Sequence, residues 1–289
     1  MYVVSYFTDA DEALHLAVSQ DGQEFSPVNE GRPLLRGTVG TGRLRDPFIG
    51  IGPDGLFHLL ATDGWTSPSI VHATSADLLT WSEQELLPVM AGIDGAHNAW
   101  APEFFLDPAT GLYHLIWSSV VEGAGSTAEG RDFANVGQDH RIWHCTTSDF
   151  VGYSPAELFF DPGYSVIDAT VTHHDGRFVM AFKDERGTND PSTDHKYILV
   201  TTFSQPGTDF TRPTGPVSPA PVEGPAFFRR GEEWVLLFDH YLEGRYGAAS
   251  SPDGVRWTRS EISLPNGIRH ASVLTVPGEH AAALDGAGV

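Results

Sequence analysis

The hydrophobic positions of the chain fall into short, almost continuous runs that are separated by glycine-containing turns. Five of the runs begin with an aromatic residue: YVVSYF from Tyr2, FHLLAT from Phe57, YHLIWS from Tyr113, FVMAFK from Phe178 and WVLLFD from Trp234. Their successive spacings are 55, 56, 65 and 56 residues. Short apolar runs bounded by turn signals are typical of strands that are buried on both faces. The pattern therefore predicts one strand-rich unit that occurs five times.

A second apolar run, which we call the lead strand, precedes each of four aromatic strands. The four are RDPFIG (45–50), APEFFL (101–106), IDATVT (167–172) and EGPAFF (223–228). A fifth, RHASVL (269–274), has no aromatic strand after it, whereas YVVSYF has no lead strand before it. Pairing of the two chain ends would give five complete four-stranded units. This predicts an all-β, five-bladed β-propeller closed by its N-terminal strands and its C-terminal strand, with a β-sandwich of short strands as the alternative.

The repeats leave no stretch for a second domain. They extend from Tyr2 to about Leu274, and no linker-like segment interrupts them, although 31 Gly and 20 Pro supply turns. We therefore predict a single domain over residues 1–289, in which residues 275–289 form a C-terminal tail with little apolar pattern.

The composition narrows the classes of partner. The net charge is −21, from 38 acidic and 17 basic residues, of which only Lys183 and Lys196 are lysines. Such a surface repels phosphate backbones and anionic lipids, so nucleic-acid and membrane partners are not expected. Met1 leads directly into a strand and Cys145 is the only cysteine. We expect a cytoplasmic protein, or a secreted one if a leader has been removed, that is a monomer or a weak homo-oligomer.

Carboxylates mark the lead strands. Counting back from the next aromatic residue places Asp46, Glu103, Asp168 and Glu223 in one register, and the fifth lead strand offers His270. The first strand of each blade lines the channel of a propeller, so these side chains should meet at one mouth of the channel. Four converging carboxylates repel one another and are costly to desolvate, which favours a functional role. Capping of strand ends, or binding of a structural cation, is the alternative.

The same mouth should carry the loops that join each aromatic strand to the third strand of its blade. These loops contain Trp65, His140 and Arg245, and Trp100 precedes the second lead strand. Tryptophan rings suit the apolar faces of sugars, although packing is an equal alternative, and Arg245 could grip a carboxylate or a sugar hydroxyl. The longest loop, 119–141, could wall off one side and so favour trimming of terminal sugars.

Glycoside hydrolysis requires such a group of acids. One acid must be protonated to assist the leaving oxygen, another must be ionised to activate water or attack, and a third anion raises the pKa of the first. The motifs RDPFI, WAPEFF, IDATV, VEGPAFF and RHASV, in this order and at blade spacing, resemble the five-bladed hydrolases of glycoside hydrolase family 43. The resemblance covers almost the whole chain and rests on the set of motifs.

The resemblance implies a role for each acid. Asp46 would be the general base that activates water, Glu223 the general acid, and Asp168 the residue that raises the pKa of Glu223 and orients it. Family members invert the anomeric centre, which requires the two catalytic carboxyl groups to be about 6.5–9.5 Å apart. His270 matches the channel histidine that lies near a bound calcium ion or a water cluster, although a packed or hydrogen-bonded histidine is the alternative. Glu103 matches a position that faces substrate.

Together these features predict an inverting, exo-acting glycosidase that removes terminal pentose from plant-type oligosaccharides or glycan side chains. An α-L-arabinofuranosidase is the first candidate, and a β-xylosidase or an exo-galactosidase is the alternative. The expected substrate contacts are Glu103, Arg245, Trp65, Trp100, His270 and Phe48. No cofactor should be required, although a structural calcium ion could lie in the channel near His270. A non-catalytic sugar-binding propeller, or a retaining fructan-cleaving relative, stays as an alternative of another kind.

Overall fold

Five antiparallel sheets surround a central channel in the computed structural model, which describes residues 1–122, 139–187, 195–254, 256–277 and 284. The lead strands are Arg45–Ile51, Trp100–Leu106, Val166–His174, Glu223–Arg230 and Ile268–Thr275. Each lead strand contacts the next, and the fifth contacts the first, so the ring is closed. The predicted five-bladed β-propeller is confirmed, and we number blades 1 to 5 in the order of these strands.

The remaining strands lie progressively further from the channel. The second strands of blades 1 to 5 are Phe57–Thr62, Tyr113–Val120, Arg177–Asp184, Glu233–His240 and Tyr2–Thr8. The third strands are Ile70–Ser75, His140–Thr147, Ile198–Phe203, Arg245–Ser251 and His15–Ser19. The outer strands of blades 1, 2, 4 and 5 are Glu85–Leu87, Glu157–Phe160, Thr258–Ser260 and Ser26–Pro27. One turn of 3-10 helix covers Asn29–Gly31. Within the described part of the chain, no helix has the length and apolar character needed to cross a membrane.

The two ends of the chain close the propeller in blade 5. The N-terminal strand pairs antiparallel with the last lead strand, from Tyr2 opposite Thr275 to Thr8 opposite Ile268. The predicted closure is therefore observed. Beyond this strand, the side chains of Val276 and Leu284 are buried, so parts of the segment predicted as a tail contribute to the core.

Blade 3 departs from the prediction of four strands per blade, because its sheet has three strands among the described residues. The chain that follows the third strand still runs along its edge. There the backbone N–H groups of Thr211, Thr214 and Val217 donate to carbonyl oxygens of the third strand. Pro213 and Pro216 lie between these donors and have no N–H group, so a regular ladder cannot form.

Apolar side chains fill the spaces between neighbouring blades. Leu59 packs in a cluster shared by blades 5 and 1, whereas the next residue, Leu60, packs in a cluster shared by blades 1 and 2. Phe104 and Phe105 divide in the same way between the clusters on the two sides of blade 2. Successive residues of a strand point to opposite faces. Because both faces are covered, the strands are apolar at consecutive rather than alternate positions.

Every lead strand carries a β-bulge at the same place. The pairing with the second strand shifts there in all five blades. The first bulged residue has a positive φ, between 42° and 56°, and is Asp46, Ala101, Asp168, Gly224 or His270 in blades 1, 2, 3, 4 and 5. Left-handed backbone costs about 1–2 kcal/mol for a residue with a Cβ. Such strain is typical of functional sites, and a bulge re-aims a side chain, here into the channel.

The bulges overturn the prediction that the four lead-strand carboxylates share one register. Asp46 and Asp168 are equivalent, but Glu223 lies one position before the bulge, and Glu103 lies two positions beyond Ala101. The count back from the aromatic residue is misleading because the intervening loops differ in length. Those loops comprise residues 52–56, 107–112, 175–176 and 231–232.

Candidate active site

A cavity of about 410 Å³ lies where the lead strands begin. Its charged lining consists of Asp9, Arg45, Asp46, Asp168, Lys183, Glu185, Glu223, Arg269 and His270. Three of the predicted acids, Asp46, Asp168 and Glu223, are thus brought together from blades 1, 3 and 4. Two other grooves are larger, but neither contains a predicted acid. The cavity falls within the size range of small-molecule sites.

Asp46 is held by a hydrogen-bond chain that starts in blade 2. The backbone N–H of Ala101 donates to Thr62 Oγ1 over 2.8 Å, and Thr62 Oγ1 donates to Asp46 Oδ2 over 2.7 Å. The other oxygen, Oδ1, lies 3.4 Å from His270 Nδ1. The carboxylate is therefore fixed in orientation from two sides.

Asp168 lies at the junction of blades 3 and 4. Its backbone N–H donates to Ser118 Oγ over 3.0 Å, and its Oδ2 accepts from the backbone N–H of Gly224 over 3.1 Å. Burial raises the pKa of Asp168 to about 6, with His270 acting to lower it and the nearby Glu223 acting to raise it. Asp168 can therefore exchange a proton near neutral pH.

Both carboxylate oxygens of Glu223 are bound by cations. Arg269 Nη2 donates to Oε1 over 2.7 Å, and Lys183 Nζ donates to Oε2 over 3.2 Å. Burial alone would raise the pKa of Glu223, but Lys183 and Arg269 together lower it to about 2. This direction is opposite to the raised pKa that the resemblance implies for the general acid. The difference arises because the expectation considered the neighbouring acids alone, whereas these two cations decide the shift.

Behind Glu223 lies a second layer of charge. Lys183 Nζ is 2.8 Å from Glu185 Oε2, and Lys196 Nζ donates to Glu185 Oε1 over 2.7 Å. The only two lysines of the chain therefore share one glutamate at the site. On the other side, Arg269 Nε donates to Asp239 Oδ2 over 2.9 Å. Burial and the proximity of Glu223 raise the pKa of Asp239 to about 6.

The sequence contains a signal for these partners at the ends of the apolar second strands. Thr62, Lys183 and Asp239 are the last letters of FHLLAT, FVMAFK and WVLLFD. In the structure each lies opposite the lead-strand residue that precedes the bulge. Polar residues that end otherwise apolar runs therefore mark the side chains that support the site, and none of the three was predicted.

Aromatic residues form one rim of the cavity. Trp65 is 55 % exposed, and the Arg45 guanidinium lies 4.5 Å from the centroid of its ring. Trp100 meets Trp65 edge to face at 5.5 Å and donates through Nε1 to the Trp65 carbonyl over 3.0 Å. His140 packs on Trp100 at 4.6 Å. Both predicted tryptophans thus line the cavity, with Trp65 as the more accessible ring.

A family model described as "Probable glycosyl hydrolase domain", of the group related to glycoside hydrolase family 43, matches residues 1–281. The chain belongs to this glycosyl hydrolase family. Its site, with three acids from different lead strands in one cavity, is in keeping with that membership.

Individual proteins that resemble this glycosyl hydrolase domain share less than 30% of their residues with it. An α-L-arabinofuranosidase of Bifidobacterium longum subsp. longum is 27% identical over 214 residues, which are 64% of this chain and 20% of that protein. The chain therefore spans only a fifth of the length of that relative. A thermostable family-43 glycoside hydrolase matches with a TM-score of 0.62 and 16% identity, over 82% of this chain and 80% of that one. An α-L-arabinofuranosidase from Lactobacillus brevis matches with a TM-score of 0.60 and 17% identity, again over 82% and 80%. These structural likenesses show the fold.

Three residues predicted to contact substrate in this hydrolase do not line the cavity. Glu103 is buried below it, beyond the bulge of blade 2, and burial raises its pKa to about 8. Phe48 packs edge to face on Phe104 at 5.1 Å, between blades 1 and 2. Arg245 starts the third strand of blade 4, pairs with Glu243 over 2.7 Å and lines an outer groove. The loop before it contributes Tyr241 to the cavity instead.

His270 lines the cavity as predicted, and its predicted place near a calcium ion stays a prediction. Burial lowers its pKa, yet Asp46 and Asp168 outweigh burial and the net shift is upward. Among the described residues, no group of three or more His, Cys, Asp or Glu side chains is arranged to hold a metal ion.

The predicted wall formed by loop 119–141 falls largely on residues 123–138, which lie outside the described residues.

Proposed function

We propose that this family member is an inverting, exo-acting glycosidase that removes terminal pentose, with α-L-arabinofuranose as the first candidate, from plant-type oligosaccharides or glycan side chains. The observation that carries the proposal is the convergence of Asp46, Asp168 and Glu223 on one cavity. The named arabinofuranosidase relative supports the choice of sugar. The limited volume of the cavity, about 410 Å³, supports action on a terminal residue.

In the proposed reaction, Asp46 removes a proton from the water that attacks the anomeric carbon. The hydroxyl of Thr62 donates a hydrogen bond to Asp46 Oδ2, so that the carboxylate is held in one orientation. Glu223 donates a proton to the leaving glycosidic oxygen. The two groups act on opposite faces of the sugar, which gives inversion.

The proton on Glu223 has to be shared with Asp168. The two carboxyls titrate as a pair, and in the resting site the cations on Glu223 leave the higher pKa with Asp168. When Glu223 carries the proton, Asp168 must be ionised. The hydrogen bond from the Gly224 N–H stabilises that ionised form. Asp168 would thus act by setting the protonation of its neighbour.

Two experiments test the proposal. A panel of aryl arabinofuranosides, xylopyranosides and galactopyranosides would identify the sugar and decide between the arabinofuranosidase, β-xylosidase and exo-galactosidase alternatives. Proton NMR of the anomeric signal during hydrolysis of the best substrate should show the inverted product first; initial retention would rule out the mechanism. Sugar binding with no hydrolysis of any glycoside would instead favour a non-catalytic binding propeller.

Substitution of the acids tests their separate roles. Asp46→Asn and Glu223→Gln should each lower kcat/KM by about 100-fold or more on substrates with poor leaving groups. Glu223→Gln should be far less damaging with a dinitrophenyl leaving group, which needs no protonation. Asp46→Asn should be equally damaging with both. Near-wild-type rates in either variant would contradict the role assigned to that residue.

A further inference from the structure

Lys196, Glu185, Lys183 and Glu223 form a row of alternating charges. The proposed reaction requires Glu223 but does not by itself require the other three residues. Lys196 Nζ lies 2.7 Å from Glu185 Oε1, Lys183 Nζ lies 2.8 Å from Glu185 Oε2, and Lys183 Nζ reaches Glu223 Oε2 over 3.2 Å. Lys183 and Lys196 are only 2% and 3% exposed. The row therefore runs through the interior of the protein, from blade 3 to the lead strand of blade 4.

Such burial of lysine is costly for folding. A buried charge loses most of its hydration, and a buried ion pair is often no more stabilising than apolar residues of the same volume. The chain uses lysine nowhere else. Placement of both lysines in a row that ends on a predicted acid is therefore better explained by what the charge does to Glu223 than by stability.

We propose that Lys183 is a positioning residue that orients the carboxylate of Glu223 and stabilises the anion that remains after the proton has been donated. The proposal rests on the proposed function, in which Glu223 is the general acid. A stabilised product anion makes Glu223 a stronger acid toward the glycosidic oxygen. Glu185 and Lys196 hold the Lys183 ammonium in place.

The other charges around Glu223 explain why a fixed cation is needed. The titratable groups that face it are Asp46 from blade 1, Asp168 and Lys183 from blade 3, Asp239, Tyr241 and Tyr246 from blade 4, and Arg269 and His270 from blade 5, with Glu185 and Lys196 behind Lys183. Several of these are anions, and proton donation adds one more negative charge among them. Arg269 divides its donors between Glu223, Asp239 and the exposed Asp9. Lys183, in contrast, is fixed on Glu223 by the partly buried Glu185.

The pH dependence of kcat/KM separates this role from a merely structural one. Lys183→Met removes the cation, and loss of an opposite charge at this range raises the pKa of an acid by about 1–3 units. The basic limb of the profile reports loss of the proton shared by Glu223 and Asp168, and Lys183 lowers the pKa of both carboxyls. The limb should therefore move to higher pH by about one unit in Lys183→Met. Lys183→Arg keeps the charge and should leave the limb where it is in the wild type. Lys196→Met, the matched loss of the lysine that pairs with Glu185, should give a smaller shift.

Leaving-group dependence provides a second readout. A weaker acid matters most where protonation is required, so Lys183→Met should reduce kcat about tenfold more for a poor phenol leaving group than for dinitrophenol. An equal loss at every pH and with both leaving groups would overturn the proposal. So would a shift of the basic limb in Lys183→Arg as large as that in Lys183→Met.

A titration without substrate distinguishes failure of this inference from failure of the proposed function. Carbon-13 NMR of labelled glutamate carboxyls, with the Glu223 signal assigned by its loss in Glu223→Gln, follows ionisation directly. Glu223 should stay ionised well below pH 4 in the wild type, and its midpoint should rise in Lys183→Met, or in Lys183→Gln if the methionine variant does not fold. A wild-type midpoint at or above the usual range for glutamate would overturn the inference even if no hydrolysis is found.

Discussion

The carboxylate of Asp168 accepts a 3.1 Å hydrogen bond from the backbone N–H of Gly224, the residue that follows Glu223. Both Asp168 and Gly224 are the first bulged residues of their lead strands, with φ of 56° and 53°. The bond therefore joins the bulges of blades 3 and 4. As a result, the position of the predicted general acid and that of the carboxylate that tunes it are linked through one stretch of backbone.

The backbone at Gly224 gives the first prediction. A Cβ there would lie 3.2 Å from the ring of His270, in addition to the strain of a φ of +53°. Gly231, in the hairpin of the same blade, has a φ of +62° but no neighbour within 4 Å of an added Cβ. Gly231→Ala should lower the free energy of unfolding by about 1 kcal/mol, and Gly224→Ala by about 2–3 kcal/mol, in urea titrations. Only Gly224→Ala should reduce kcat/KM, by about tenfold. Equal effects of the two substitutions on stability and rate would refute the linkage.

The second prediction concerns the hydroxyl of Thr62. Thr62→Val is nearly isosteric but removes the donor to Asp46 and leaves the buried N–H of Ala101 without its acceptor. Loss of one partner from a buried hydrogen bond costs about 1–3 kcal/mol. We expect kcat to fall about tenfold in Thr62→Val because Asp46 is no longer oriented, with less change in KM. Thr62→Ser retains the hydroxyl and should keep most of the activity; a serine variant as impaired as the valine variant would point to packing instead.

The third prediction concerns the contrast between Trp65 and Arg245. Trp65 lines the cavity and is 55 % exposed, so its ring is open to a sugar. Arg245 pairs with Glu243 in an outer groove. Trp65→Ala should raise KM for an oligosaccharide by about tenfold, since stacking contacts of this kind contribute on the order of 1 kcal/mol. Arg245→Ala should stay within about twofold of the wild type, because exposed ion pairs contribute little. A large loss of activity in Arg245→Ala would restore it to the site.

Two histidine pairs that are largely buried give the fourth prediction, which concerns stability. His58 and His72 in blade 1, and His114 and His144 in blade 2, lie at equivalent positions, with ring nitrogens 2.9 and 3.2 Å apart. Burial lowers the pKa of His144 to about 4, with a further contribution from His114. The unfolded chain binds this proton near pH 6.5, so between about pH 6.5 and 4 the unfolded state holds more protons. The contribution of His144 to stability should therefore decline as the pH falls through this window.

Urea unfolding at several pH values checks this sign. His144→Gln removes one titrating group and should reduce the slope of unfolding free energy against pH by up to about 1.4 kcal/mol per unit in that window. His97 is exposed, and His97→Gln serves as the control, with an unchanged slope. An equal change of slope in both variants, or an unchanged slope in His144→Gln, would contradict the assignment.

Particular residues show which parts of the site could be predicted from the sequence. Asp46, Asp168, Glu223, Trp65, Trp100 and His270 were predicted to converge, and all of them line the cavity. Glu103 was assigned to the same register because each carboxylate was counted from the next aromatic residue. The count cannot register a bulge or a hairpin loop of different length, and it therefore placed Glu103 two positions too near the mouth. Lys183 was missed because its significance lies in the partner that it reaches, and Arg269, although it opens the RHASV motif, was given no role for the same reason.

The blade count and the closure of the ring were determined by the sequence, because apolar runs, turn residues and their spacing are local properties that each unit repeats. The electrostatics of the site were decided only by the tertiary structure. The cations on Glu223 come from 40 and 46 positions away along the chain. Their contacts depend on the φ angles of the bulges and on which carboxylates are desolvated together. Neither property can be predicted from the sequence of a single blade.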